Sequence, residues 1–173
     1  MKMLEEQMAF YAAYHQDARN KATHFVGVPL IMLAILIPLS WLRLEAAGIT
    51  VTAAMLLPAA VLAYYFMLDL PLALAMLIVI GALIWAAETI AALGAAPGWG
   101  WFGALFVGGW ILQLIGHVFE GRRPALVDNL FQIFVAPLFL AAEVFFALGY
   151  KPELRKRIQL NSSARSAPRA PSA

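Results

Sequence analysis

The chain has 173 residues, of which 63% are hydrophobic and 13% are charged, and its mean hydropathy is +0.79. Soluble domains carry about a quarter charged residues, so this composition predicts an integral membrane protein. A net charge of +2 and few basic residues argue against nucleic-acid binding. Because the chain has no cysteine, disulfides and thiolate metal sites are excluded.

The first part of the chain, residues 1–24, is polar to amphipathic and predicts a short helix before the membrane. The mixed charges of MKMLEEQ lead into no apolar region of their own, so we expect no cleaved signal peptide. Four apolar runs follow, over residues 26–42, 49–68, 70–93 and 99–119. Each approaches or exceeds the roughly 20 residues that a membrane-crossing helix needs, which predicts four full spans.

A fifth apolar segment, residues 130–150, contains Pro137 and Glu143. If this segment does not cross the membrane, eleven of the twelve Lys and Arg residues share one face and only Arg43 lies on the other. The positive-inside rule favours such a bias. We therefore expect an all-α, polytopic membrane bundle with a broken or re-entrant fifth segment, in one domain over residues 1–160. The Ser-, Ala-, Pro- and Arg-rich residues 161–173 predict a disordered tail.

The chain has three histidines, and the predicted topology brings all of them to one membrane face. His15 and His24 precede the first run and His117 ends the fourth, so four crossings return the chain to its starting side. The positive-inside bias makes this face cytoplasmic. A single interfacial histidine usually bonds only a headgroup or a backbone carbonyl. Three of them, with Glu120 three residues past His117, favour a metal site.

The spacing of His15 and His24 imposes a condition on the local structure. They are nine residues apart and would point to opposite sides of a straight helix. We therefore predict a chain break within residues 17–20, with a first helix ending near Asp17 and a span starting near Asn20 or Lys21. Asn20 has an alternative role, in which it holds a ligand histidine by the other ring nitrogen.

Several polar residues near His117 have two open interpretations. Gln113 lies one helical turn before His117 and either bonds a neighbouring helix or orients His117 or a substrate oxygen. Glu120 is either a metal ligand or an interfacial carboxylate paired with Arg122 or Arg123. The two arginines are positive-inside residues, or they bind lipid headgroups or a substrate carboxylate.

Two spaced motifs carry a family resemblance. Tyr14-His15, Asn20, His24 and Gly27-Val-Pro29 fit the pattern YHxxxxNxxxHxxGxP, and Gln113-x-x-Gly-His117 is followed by Glu120, Pro124-Ala125 and Asp128-Asn129. Together they resemble the small membrane 2-hydroxy fatty acid dioxygenases, which in yeast act in the breakdown of phytosphingosine to odd-numbered fatty acids. The resemblance spans the chain from about Tyr11 to Glu143.

This resemblance implies an Fe(II)-dependent α-oxidation, in which a 2-hydroxy fatty acid and O2 give an acid one carbon shorter. It implies a metal held by His15, His24 and His117, with Glu120 as the least secure ligand. It also implies supporting or substrate-binding roles for Tyr14, Asn20, Gln113, Arg122, Arg123 and Asn129. The expected partners are the hydroxy acid, O2 and membrane lipid, with no nucleic acid and no known protein partner.

The expected location is a multi-pass position in a membrane, the inner membrane in a bacterium or the endoplasmic reticulum in a eukaryote. Other functions stay open on the sequence. The first is a non-catalytic lipid-binding protein with merely interfacial histidines, and the second is an electron carrier with bis-histidine haem. A zinc hydrolase is the third.

Overall fold

The structure, a computed structural model, describes residues 2–46, 48–121 and 131–166. Within these ranges the chain forms seven helices and one short hairpin. In chain order they are α1 (Lys2–Ala13), α2 (Ala18–Leu39), β1 (Arg43–Ala46), β2 (Ile49–Thr52), α3 (Ala53–Leu68), α4 (Leu70–Ala91), α5 (Ala95–Glu120), α6 (Gln132–Ala147) and α7 (Pro152–Ser166). The predicted helical class is confirmed, whereas the hairpin is a feature that the sequence analysis missed.

Three of the described helices, α2, α4 and α5, are long and apolar enough to cross a membrane. Helices α3 and α6 are also apolar but have 16 residues each. That is about 24 Å of helix, against a hydrocarbon core of about 30 Å, so four full spans are not confirmed. The second apolar run is shortened because its β-branched start, Ile49–Thr52, pairs with Arg43–Ala46 in the antiparallel hairpin.

Hydrogen bonds show how the apolar helices alternate in direction. The indole of Trp41, just after α2, donates to the carbonyl of Ala91 at the end of α4 at 3.2 Å. Thr52, at the start of α3, donates to Glu88 of α4 at 2.7 Å. We call this the far end of the bundle. The opposite end, called the site end, carries the α3–α4 junction at Asp69, the start of α2 and the end of α5.

The fifth apolar segment differs from the prediction in one respect, because α6 is a single uninterrupted helix that includes Pro137. A proline removes one backbone hydrogen bond from a helix, and neighbouring helices compensate for such losses in apolar surroundings. The carbonyl that Pro137 leaves without its helical donor is that of Ile133, and the hydroxyl of Tyr65 on α3 donates to the next carbonyl, that of Phe134, at 2.5 Å.

Helices α1 and α7 pack on each other and on α6. Leu4 and Met8 of α1 and Leu154 and Ile158 of α7 are almost fully buried and belong to the same apolar cluster as Phe139 of α6. Helix α7 continues to Ser166, six residues beyond the boundary predicted at residue 160. Residues 167–173, the rest of the predicted tail, lie outside the described residues.

Glycines permit a close approach of α2 and α5. A Cβ on Gly27 would lie 2.9 Å from the carbonyl oxygen of Gly109, and a Cβ on Gly109 would lie 3.0 Å from that of Gly27. Nearer the site end, a Cβ on Gly116 would collide with the side chains of Thr23 and Asn20. Small residues allow helix backbones to meet in apolar surroundings, and here they fix the distance between the ends that carry His24 and His117.

Candidate metal centre

The three histidines meet at the site end although they lie far apart in the sequence. His15 lies in the break between α1 and α2, His24 is on α2, and His117 is near the end of α5. All three are buried, with exposed fractions of 2%, 2% and 7%. One ligand nitrogen from each ring lies within 4.8 Å of the other two.

The break that brings His15 and His24 together is present, three residues earlier than predicted. Helix α1 ends at Ala13 and α2 begins at Ala18, with Asp17 as its N-cap. The Asp17 carboxylate accepts a hydrogen bond from the backbone N–H of Arg19 at 2.8 Å. Hydrogen bonds from Arg19 lower the pKa of Asp17 to about 2, so the cap stays ionised at neutral pH, where it best satisfies the helix start.

Hydrogen bonds fix the orientation of two imidazoles. His15 donates from Nδ1 to the carbonyl of Tyr11 at 2.8 Å, and His24 donates from Nδ1 to the carbonyl of Asn20 at 2.9 Å. Because a carbonyl only accepts, both Nδ1 atoms carry the proton and both Nε2 atoms carry a lone pair. The two Nε2 atoms are only 3.1 Å apart.

This contact places two acceptors against each other unless a proton or a cation lies between them. Burial, and then the neighbouring His24, lower the pKa of His15 well below its ordinary value, so a bridging proton is disfavoured at neutral pH. A cation bound by both nitrogens satisfies them. The same tautomers are the ones in which histidine binds a metal through Nε2 while Nδ1 is held by a carbonyl.

The donor set therefore fits a metal ion. Imidazole is a ligand for iron, zinc and copper, and two nitrogens that each lie about 2.1 Å from one ion are at most about 4.2 Å apart. The three ligand nitrogens lie within 4.8 Å of one another, so they need to approach by only a fraction of an ångström to share an ion. His117 supports this fit, since its Nδ1 is buried without a hydrogen-bond partner among the described residues.

Glu120 does not belong to this group of ligand atoms, and the structure gives its carboxylate another task. One oxygen accepts from the backbone N–H of Gln16 at 2.8 Å. The other accepts from the N–H of Asp17 at 2.8 Å and from the side chain of Asn20 at 3.0 Å. The end of α5 is thereby bonded to the break between α1 and α2. A carboxylate engaged with three donors has little freedom to turn toward the histidines.

Asn20 and Tyr14 support this arrangement through backbone atoms. Asn20 is fully buried, its carbonyl holds His24, and its amide also donates to the carbonyl of Tyr14 at 3.3 Å. The ring of Tyr14 packs against Phe10 at 5.3 Å. The backbone carbonyl of Asn20 thus bonds Nδ1 of His24, and the supporting role predicted for Asn20 at a metal site stays a prediction.

A cavity of about 340 Å³ extends from the histidines between α2, α5 and α6. Its walls are Tyr11, His15, His24, Val28, Ile31, Met32, Ile35, Phe106, Trp110, Gln113, His117, Gln132, Ile133, Ala136 and Pro137. Besides the histidines, the lining residues with a polar group are Tyr11, Trp110 and two buried glutamines, Gln113 and Gln132. We call this space the first cavity. It has imidazoles at one end and aliphatic and aromatic side chains along most of its length.

Comparison with known proteins identifies the family. Residues 1–148 match the family described as "2-hydroxy-palmitic acid dioxygenase Mpo1-like". The chain is also 33% identical over 161 residues to the 2-hydroxy-palmitic acid dioxygenase MPO1 of Saccharomyces cerevisiae, which covers 90% of this chain and 87% of that protein. The chain belongs to the Mpo1-like family. No solved structure matches it significantly. The resemblance inferred from the two motifs is confirmed.

Some site residues of this Mpo1-like chain escaped the sequence analysis. The ring of Tyr11 stacks on that of His15, with centroids 3.9 Å apart and an interplanar angle of 4°. Its spacing of one helical turn from His15 was the available signal. Gln132 lines the first cavity and was not among the predicted site residues. Of the predicted residues, Arg122, Arg123 and Asn129 lie outside the described residues.

Proposed function

We propose that this Mpo1-like protein is an Fe(II)-dependent 2-hydroxy fatty acid dioxygenase that removes one carbon from its substrate at the membrane interface. The observation that carries this proposal is the pair of unprotonated Nε2 atoms, 3.1 Å apart, at the polar end of an apolar cavity. The apolar cavity beside a metal held there suits a fatty-acyl chain. The yeast relative is a 2-hydroxy-palmitic acid dioxygenase, which supports the same reaction class.

His15, His24 and His117 would hold the iron as neutral imidazoles. Three histidines leave further coordination positions open, which is typical of non-haem Fe(II) oxygen chemistry. When bound, the iron supplies the redox chemistry that lets O2 react with the substrate. Carbons 1 and 2 of the hydroxy acid lose the electrons that reduce O2, so the shortened acid, CO2 and water form without a separate reductant.

The protein's own residues orient the substrate. The apolar walls of the first cavity hold the acyl chain and exclude water, while the carboxyl and 2-hydroxyl groups lie among the histidines. Gln113 is one turn below His117, and its Nε2 is buried without a partner among the described residues. We assign it the role of donor to a substrate oxygen, because an unpaired buried N–H is costly and gains most from such a partner.

The triad geometry favours this function over a bis-histidine haem carrier. The three rings converge on one point, with centroids 4.6 to 5.1 Å apart. A planar haem needs free space between its two axial histidines, and here the third imidazole lies in that space. A zinc hydrolase uses the same ligand atoms, so the choice of metal is decided by the experiment.

The test is anaerobic loading of the full chain with Fe(II), followed by a 2-hydroxy fatty acid and O2, with mass analysis of the products. We expect the acid one carbon shorter, formed only when both Fe(II) and O2 are present. A Soret band in the purified protein would contradict the proposal. Zn(II)-supported turnover without O2, or failure to retain iron, would contradict it as well.

A further inference from the structure

The first cavity has a measurable depth because two helices line it side by side. On α2 its lining begins at His24 and ends at Ile35, and on α5 it begins at His117 and ends at Phe106. Both pairs are eleven residues apart, which corresponds to about 16 Å of helix. The cavity therefore leads from the histidines deep into the apolar part of the bundle.

A second cavity of about 110 Å³ adjoins the first. It is lined by α3 residues that include Val61, by Ile80 of α4, and by four residues that also line the first cavity. The shared residues are Met32, Ile35, Ile133 and Pro137. They form the wall between the two spaces. Apart from Tyr65, the second cavity has only apolar walls, so its chemistry suits hydrocarbon.

Met32 differs from the other wall residues in flexibility and position. Isoleucine is stiff at its branched carbon and proline is a ring, whereas methionine is unbranched with three rotatable bonds. Met32 also packs partly buried against the main apolar cluster, whereas Ile35 and Ile133 are 37% and 45% exposed. Pro137 is also partly buried, so Met32 is the one residue of the four that is both partly buried and flexible.

We propose that Met32 sets the acyl chain length that the enzyme accepts, and that the second cavity takes the methyl end of longer chains. This inference rests on the proposed function and names the substrate class more closely. C–C bonds of about 1.5 Å advance an extended chain by about 1.25 Å each. The depth to Ile35 therefore accommodates about thirteen bonds beyond the anchored head. With carbons 1 and 2 as the head, acids of about fifteen carbons end at the wall, and longer acids must displace Met32.

The experiment compares a series of 2-hydroxy fatty acids, from one that fits the first cavity to one roughly six carbons longer. The full chain carries Met32→Ala, Met32→Phe, or Met32→Ala combined with Val61→Phe. Met67→Ala is the matched control, since Met67 is 83% exposed on α3 and lines neither cavity. Two quantities are measured: kcat/KM for each acid with Fe(II) and O2, and the anaerobic rise in melting temperature caused by the unsubstituted acid of each length.

We expect Met32→Ala to raise the ratio of long-chain to short-chain kcat/KM by about tenfold or more, the lower end of the range for one methylene in an apolar pocket. Val61→Phe should cancel this gain by filling the second cavity from the other side. Met32→Phe should lower the ratio, and Met67→Ala should leave it unchanged. The acid that raises the melting temperature most should become longer in Met32→Ala and shorter in Met32→Phe, in parallel with the change in kcat/KM.

The two proposals fail in different ways. If wild type makes shortened acids but the Met32 variants keep its length profile in both measurements, the chain end leaves the cavity elsewhere and this inference is overturned. If no acid is shortened under any condition, the proposed function is overturned, while a melting profile that moves with Met32 still supports the length-setting role. If one Met32 variant does not fold, the other decides, because they act in opposite directions.

Discussion

The two ends of the first cavity are built on different principles. At the histidine end, His15 and His24 each donate a ring N–H to a backbone carbonyl. The Glu120 carboxylate accepts a hydrogen bond from the break between α1 and α2. At the other end, aliphatic side chains such as Met32 and Ile35 define only a shape. A polar end specified by directional bonds tolerates little change, whereas an apolar end tolerates repacking.

The largest expected effect is at the proposed metal ligands. His117→Ala should abolish iron retention and lower turnover by at least about a thousandfold, because the remaining two imidazoles hold an ion weakly. The protein should stay folded, and its melting temperature without metal should change little. Iron content and product formation measure this. Leu114→Ala is the control, since Leu114 is exposed on the same helix. Normal iron content in His117→Ala would remove this residue from the ligand set.

Gly116 tests whether close helix packing aligns the histidines. A Cβ at this position would meet the side chains of Thr23 and Asn20 and lie 3.1 Å from Nδ1 of His24. Overpacking of this kind costs about 1–3 kcal/mol, so Gly116→Ala should lower the melting temperature and weaken iron binding together. Gly108→Ala is the matched control, because a Cβ there meets no atom within 4 Å. Equal behaviour of the two variants would contradict the packing role.

Glu120 distinguishes a positioning carboxylate from a ligand. Glu120→Gln keeps one oxygen acceptor but loses the charge that strengthens its bonds to Gln16, Asp17 and Asn20. Iron affinity should fall about 10- to 100-fold, as for other groups that orient metal ligands, and turnover should recover at saturating Fe(II). Titration with Fe(II) and measurement of kcat give both values. Loss of turnover that excess iron does not restore would favour direct ligation.

The smallest expected effect is at a polar contact outside the first cavity. Lys21 and Glu143 form a 3.0 Å ion pair, and their side chains are 28% and 24% exposed. Such partly exposed pairs contribute about 0.2–1 kcal/mol. Glu143→Gln should therefore shift the melting temperature only slightly and change kcat/KM by less than about threefold. A much larger loss of activity would show that the part of the protein that tolerates little change reaches beyond the histidines to this ion pair.

Parts of this arrangement could be predicted because they depend on local sequence or on whether the number of helix crossings is even or odd. The spacing of His15 and His24 required a chain break, and Asp17 was a suitable residue to provide it. Alternating apolar runs brought His24 and His117 to one end. The hairpin was missed because a long apolar run was interpreted as helix throughout, although its β-branched start, Ile49–Thr52, favours a strand.

The sequence by itself determined that this is a helical membrane protein of the Mpo1-like type whose histidines share one end, since hydropathy and spacing are local properties. Only the tertiary structure decided which atoms face one another: the two Nε2 atoms, the bonds of Glu120, the stacking of Tyr11 on His15, and the wall at Met32. These depend on how closely α2 approaches α5 and on the path of α6. Such distances arise from packing between helices, which no single segment encodes.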